Sequence, residues 1–304
     1  MATEHPQVDF AHWARVFPME TFQKTSGPRQ FDSTKNGSSL DLWKARGSII
    51  TSPAHLCEIE LVRQHYARTK DLGPAVPVDI FLWSVEPAAK PYLTRLGGVP
   101  HRESTRPWPT SSSGKPFTFV AQFCFVDSRD IVSEKLPGEV MLIFLKNAQG
   151  IYEEDGIRVE WSSLELKVPM TAEDCPPPEF VVPQLSGQIY RTSEYPESWD
   201  VFEQAGHYQS YLFPTSQSTK IGRETYFIQH DIRGEREELI CALNSVHPSK
   251  GKWPFVGLES LPDDWDQPDE PYEWGKYRMM FADVGCLYFV IDRQGEVSWA
   301  WDSY

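Results

Sequence analysis

A set of short apolar and aromatic strings occurs twice along the chain. The first set runs Leu96-Gly97-Gly98-Val99-Pro100, Trp108-Pro109, Pro116 to Phe123 and Leu136 to Phe144. The second runs Lys220-Ile221-Gly222, Trp253 to Leu258 and Asp283 to Ile291. Each set holds a glycine turn, a Trp-Pro pair and glycine-led apolar runs of strand length, so the pattern predicts two related β-rich halves. At 304 residues there is enough chain to bury a sizeable core. An aromatic share of 13%, with 11 Trp, suits strands and broad packing surfaces.

Local patterns divide the chain further. Phe10, Trp13, Val16 and Phe17 fall on one helical face until Pro18, which predicts a short amphipathic helix within 8–22. Thr25 to Ser39, rich in Ser, Gly, Asn and Lys, reads as an exposed loop. Ser52-Pro53 at a helix-start position precedes Leu56, Ile59, Leu61 and Val62 and predicts a second helix in 54–70. Strands are expected at Val76 to Trp83, Pro116 to Phe125, Val140 to Leu145, Val159 to Val168 and Arg223 to Gln229. A brief helix is expected at Trp199 to Gly206, and a final hairpin pairs Gly285 to Ile291 with Glu296 to Trp301 across a four-residue turn ending in Gly295. The prolines between Thr171 and Pro183 resist both helix and sheet interior. The expected organisation is an N-terminal helical and loop extension (1–77), a first β-rich half (78–170), a Pro-rich connection (171–187) and a second β-rich half (188–304). The expected fold class is α+β and β-rich, with two similar halves of bent antiparallel sheet and a few peripheral helices.

Charge narrows the partners. A formal net charge of −14 disfavours nucleic acid and anionic membrane surfaces, which both select clustered Lys and Arg, and would attract a basic protein. The same acidity also serves solubility. The start, MATEHPQVDFAHWARVF, has no basic segment followed by an apolar run, and no run of about 20 apolar residues occurs anywhere, so neither a secretory signal nor a membrane span is expected. A cytoplasmic protein is the expectation. The five cysteines, Cys57, Cys124, Cys175, Cys241 and Cys286, are too scattered for a disulfide framework or zinc knuckle and read as reduced, structural thiols.

Several ordered strings together resemble the YwqG-like family, a bacterial domain of unknown function. They are Leu96 to Pro100, Trp108-Pro109, Phe119-Val120-Ala121-Gln122, Gly222 with Gln229, and Asp283 to Phe289. The resemblance covers roughly Val78 to Tyr304. It departs from the family at Arg223, where members tend to carry a second glycine, and 1–77 is weakly matched. The resemblance implies a β-rich α+β fold of two similar halves and supplies no catalytic residues. Because members sit among genes for bacterial toxin delivery, it also implies an immunity or partner-binding role.

Motif chemistry is sparse. The chain has no phosphate-cradling Gly-x-x-x-x-Gly-Lys-Ser/Thr string, no Gly-x-Ser-x-Gly elbow and no His-Glu-x-x-His pair. His230-Asp231 is an immediate His-carboxylate pair, and adjacent strand residues point to opposite faces, so a turn role is favoured over metal or acid-base work. The carboxylates of Asp263, Asp264, Asp266, Asp269 and Glu270 form an acidic loop that lacks the glycine of a calcium-binding loop. With Trp265, Tyr272 and Trp274 they make a candidate surface for a basic protein. Gln122 and Gln229, at the ends of apolar strings, must find hydrogen-bond partners, either strand-end backbone or a ligand. Gly97, Gly98, Gly222 and Gly285 are expected to permit turns or close approach, with Pro100, Trp108, Pro109 and Asp283 as structural motif residues. No cofactor, metal or catalytic residue is assigned. A non-catalytic protein-binding domain is the first expectation, and a small-molecule binder or enzyme with a cleft between the halves is the second.

Overall fold

The strands β1 (Val76–Ser84), β2 (Arg95–Leu96), β3 (Thr118–Cys124), β4 (Val140–Leu145), β5 (Ile157–Ser162), β6 (Leu185–Glu194), β7 (Lys220–Gly222), β8 (Glu238–Asn244), β9 (Cys286–Ile291) and β10 (Val297–Asp302) join in one sheet. It is a ten-stranded antiparallel sheet in the order β10-β9-β8-β7-β1-β6-β2-β3-β4-β5. The structure is a computed structural model and describes residues 76–132, 135–194, 218–225, 227–235, 237–246 and 274–303. The helices expected at 8–22, 54–70 and 199–206 lie outside these residues.

This architecture corrects the expected fold class. Among the described residues the helical content is three short 3-10 turns, at Val126–Ser128, Gly150–Tyr152 and Ala172–Asp174, with no α-helix. The strands build one curled sheet instead of two similar halves. The reason lies in the middle of the sheet. β1 pairs with β6 along its whole length, from Val76 opposite Glu194 to Ser84 opposite Ser186, and its other edge takes β7. Long-range pairing of this kind leaves no seam at which two sheets could separate.

The apolar runs are continuous because both faces of the sheet are covered. Along β4, Met141, Ile143 and Leu145 enter the main core, while Val140, Leu142 and Phe144 enter a second cluster with Phe117, Phe119 and Cys124. Along β9, Leu287, Phe289 and Ile291 enter the main core, while Cys286, Tyr288 and Val290 pack with Phe227, Ile228 and Leu239. Each large apolar side chain buried in this way contributes about 1.5–3 kcal/mol. Register irregularities between Phe119 and Ala121 in β3, and between Leu239 and Cys241 in β8, act as bulges. They let the neighbours Val120 and Ala121, and likewise Ile240 and Cys241, face the same main core.

The curl brings distant parts of the sheet together. Tyr152, beyond the end of β4, packs edge-on to Trp301 of β10 with ring centroids 4.8 Å apart. Lys135 Nζ donates to the carbonyl of Arg293 in the β9–β10 turn at 2.7 Å. Trp161 of β5 and Trp299 and Trp301 of β10, near opposite ends of the strand order, all pack on the same core.

Candidate functional site

The curl places three loops around an open cleft of about 590 Å³. The β4–β5 connection supplies Ala148, Gln149 and Tyr152, the Pro-rich segment before β6 supplies Phe180 and Val181, and the approach to β9 supplies Trp274, Met280, Ala282 and Asp283. That volume lies within the range of small-ligand pockets, and the walls are mainly apolar and aromatic. Tyr152 and Val181 are each 56% exposed, an unusual condition for large apolar side chains standing together.

Aromatic packing fixes the walls. Phe180 and Trp274 meet edge to face at 4.9 Å, and Trp274 meets Phe281 in the same manner at 5.4 Å. The chain from Trp274 to β9 is tied down by reciprocal backbone bonds between Gly275 and Arg278 and between Val246 and Met279. The Trp274 indole Nε1 is shielded from solvent and has no hydrogen-bond acceptor among the described residues. Such an unpaired buried donor costs about 1–3 kcal/mol unless something accepts from it.

Asp283 stands at the rim on backbone held in an uncommon shape. Its neighbours Ala282 and Val284 have φ of 47° and 53°, a left-handed conformation that a β-branched residue such as Val rarely adopts. Strain of this sort persists where surrounding structure enforces it, and it concentrates at functional sites. The turn is followed by tightly packed backbone: a Cβ at Gly285 would lie 2.6 Å from the Asp302 carbonyl oxygen and 2.7 Å from that of Phe281. Gly285 N–H donates to Phe281 O at 2.6 Å, closing the turn that presents Asp283. The Asp283 carboxylate is exposed and makes no hydrogen bond or ion pair with the described residues.

The remaining motif residues stand elsewhere. Gln122 donates through Nε2 to the carbonyls of Pro91 and Leu93, each at 2.8 Å, and accepts from His101 N–H at 2.9 Å through Oε1. Arg95 donates to the Val99 carbonyl across the Gly97-Gly98 turn. Gly97 has φ +56°, and a Cβ there would lie 2.7 Å from the Pro183 carbonyl oxygen, so turn geometry and close approach both require glycine. Pro100 is buried beside them. Trp108 Nε1 donates to Phe117 O at 2.7 Å, and Phe117 N–H donates to Pro109 O at 2.9 Å. The buried Arg102 guanidinium lies 5.7 Å from the Trp108 ring and is bonded to Glu160 at 2.7 Å. Gly222 closes β7 against Val78, and Gln229 bonds Asp302 and Ser303 near the end of β10. His230 and Asp231 lie outside the strands, where Asp231 pairs with Arg233. Among the described residues no group of three or more His, Cys, Asp and Glu is placed to hold a metal ion.

Of the residues predicted to bind a partner, Trp274 lies in the cleft. Asp263, Asp264, Trp265, Asp266, Asp269, Glu270 and Tyr272 lie outside the described residues. Asp283, expected as a structural motif residue, joins Trp274 at the cleft. Tyr152, Phe180 and Val181 carry no functional motif in the sequence. The available signal was an apolar Phe-Val pair amid prolines, in a segment read only as a connection.

Fold and site together define a class: a curled antiparallel β-sheet protein with an aromatic surface cleft and a carboxylate at its rim. The model of the family described as "Domain of unknown function (DUF1963)" matches residues 94–298, and the chain belongs to that family. All the cleft residues fall within the matched span. No curated protein matches the chain. No helix among the described residues is long and apolar enough to cross a membrane.

Proposed function

We propose that this protein is a non-catalytic binding domain whose cleft at Trp274 receives part of a basic protein partner. One observation carries this reading: an aromatic cleft of about 590 Å³ with exposed Tyr152 and Val181, whose charged lining residue is the carboxylate Asp283. Aromatic anchors beside apolar pockets concentrate binding energy at interfaces, and complementary charge speeds encounter. The net charge of −14 and the acidic residues Asp263 to Glu270, just before Trp274 in sequence, favour a basic partner. Within this class, the motif resemblance implies an immunity protein, for which the partner is a toxin. The buried free thiols of Cys124, Cys241 and Cys286 fit a reducing compartment such as the cytoplasm.

The test is capture by the tagged full chain at low and moderate salt, with Val181→Lys and Val168→Lys compared with the unaltered protein. Both valines are exposed, 56% and 49%, so neither change disturbs the core, and only Val181 lines the cleft. The reading expects a stoichiometric basic partner that weakens as salt rises, is lost with Val181→Lys and is kept with Val168→Lys. No partner, or one held equally by both variants, contradicts it.

A further inference from the structure

We infer that the group received by the cleft is a cationic side chain, an alkylammonium or guanidinium, set between the aromatic walls and Asp283. This rests on the binding reading above and specifies its chemistry. Tyr152, Phe180 and Trp274 supply three aromatic rings to one cleft, and aromatic faces attract cations through their negative quadrupole. Asp283 supplies a carboxylate without an ion-pair partner among the described residues, on a turn whose strained flanks hold it at the rim. Among the described residues no lysine or arginine lines the cleft. Lys146, close in sequence to Ala148 and Gln149, is held by Glu153 at 2.6 Å and Asp155 at 3.2 Å, so its charge is already matched. A neutral apolar group would fill the aromatic walls but gain nothing from the Asp283 carboxylate, whereas a cation gains from both.

The experiment follows the ¹⁵N-labelled indole signal of Trp274, assigned with Trp274→Phe, as the full chain is titrated. The probes are N-acetyl-lysine methylamide and its uncharged counterpart N-acetyl-norleucine methylamide. The lysine probe is expected to shift the Trp274 signal with about five-fold tighter half-saturation than norleucine, the gain typical of a cation over aromatic rings. Asp283→Asn should reduce that advantage while the other indole signals stay in place. If both probes act equally, or Asp283→Asn leaves the preference intact, the cationic assignment is overturned and the binding reading stands. If neither probe moves the signal while a partner is still lost with Val181→Lys, the assignment again fails alone. If neither probe acts and no partner depends on Val181, both fall.

Discussion

Lys220 and Glu194 form a doubly bonded ion pair, with Nζ 2.8 Å from each carboxylate oxygen and side chains 0% and 1% exposed. Removing one member takes from the other a doubly bonded partner in a site closed to water. Lys220→Met is therefore expected to cost about 3–5 kcal/mol in denaturant unfolding, and the double variant Lys220→Met/Glu194→Leu much less than the sum of the single changes. Additive losses would show that the pair is not coupled. A second test concerns His101, 6% exposed, whose Nε2 lies 3.1 Å from the carbonyl oxygens of both Ser163 and Leu164. Burial pushes its pKa below the ordinary histidine value. The folded state thus resists a proton that the unfolded chain accepts, so this contribution is complete above about pH 6.5 and is lost as pH falls below it. Melting followed from about pH 7.5 to about pH 5 should show a shallower decline in His101→Gln than in the unaltered protein. An equal decline would assign the acid sensitivity to other groups.

At the scale of single elements, β4 is the clearest case of a strand covered on both faces. Met141→Ala and Leu142→Ala point to opposite clusters, yet each should cost about 2–5 kcal/mol by chemical denaturation. A small cost for either would mean that its face is not packed as described. Strands of this type were legible in the sequence because continuous burial writes a continuous apolar run, as in β1, β4 and β9. β6 was not legible, although it pairs with β1 over that strand's full length. Ser186, Arg191 and Glu194 make it look like a loop, and their polar groups find Glu86, Asp79 and Lys220 only once the chain has folded. Arg223 to Gln229 shows the opposite error. Phe227 and Ile228 looked like strand residues but lie outside the strands, covering the outer cluster over β8 and β9. Apolar strings such as Val140 to Leu145 and Gly285 to Ile291 mark strands, whereas Trp253 to Leu258 lies outside the described residues; no string shows which strands pair, because pairing is settled between segments far apart in sequence.

For the whole molecule, one continuous sheet replaces the two similar halves of the expected fold, and cysteines on different clusters report on that continuity. Cys124 packs with the cluster over β3 and β4, and Cys286 with the cluster over β8 and β9. Burial pushes both thiols above the usual range and keeps them protonated and unreactive in the folded state. Alkylation mapped by mass spectrometry should show both becoming reactive at one denaturant concentration, since a single sheet unfolds cooperatively. Separate transitions would restore two independent units. The cleft also belongs to this scale. Trp274 and Asp283 drew attention as sequence features, whereas Tyr152, Phe180 and Val181 join them only because the curled sheet brings three loops together. No local pattern encodes that meeting. The most direct measurement of the central claim, that this cleft is the binding surface, is photo-crosslinking with benzoylphenylalanine placed at Val181 or at Val168 in the full chain. The account predicts a salt-sensitive adduct with one basic protein from Val181 and none from Val168. The same adduct from both positions, or from Val168 alone, would contradict it.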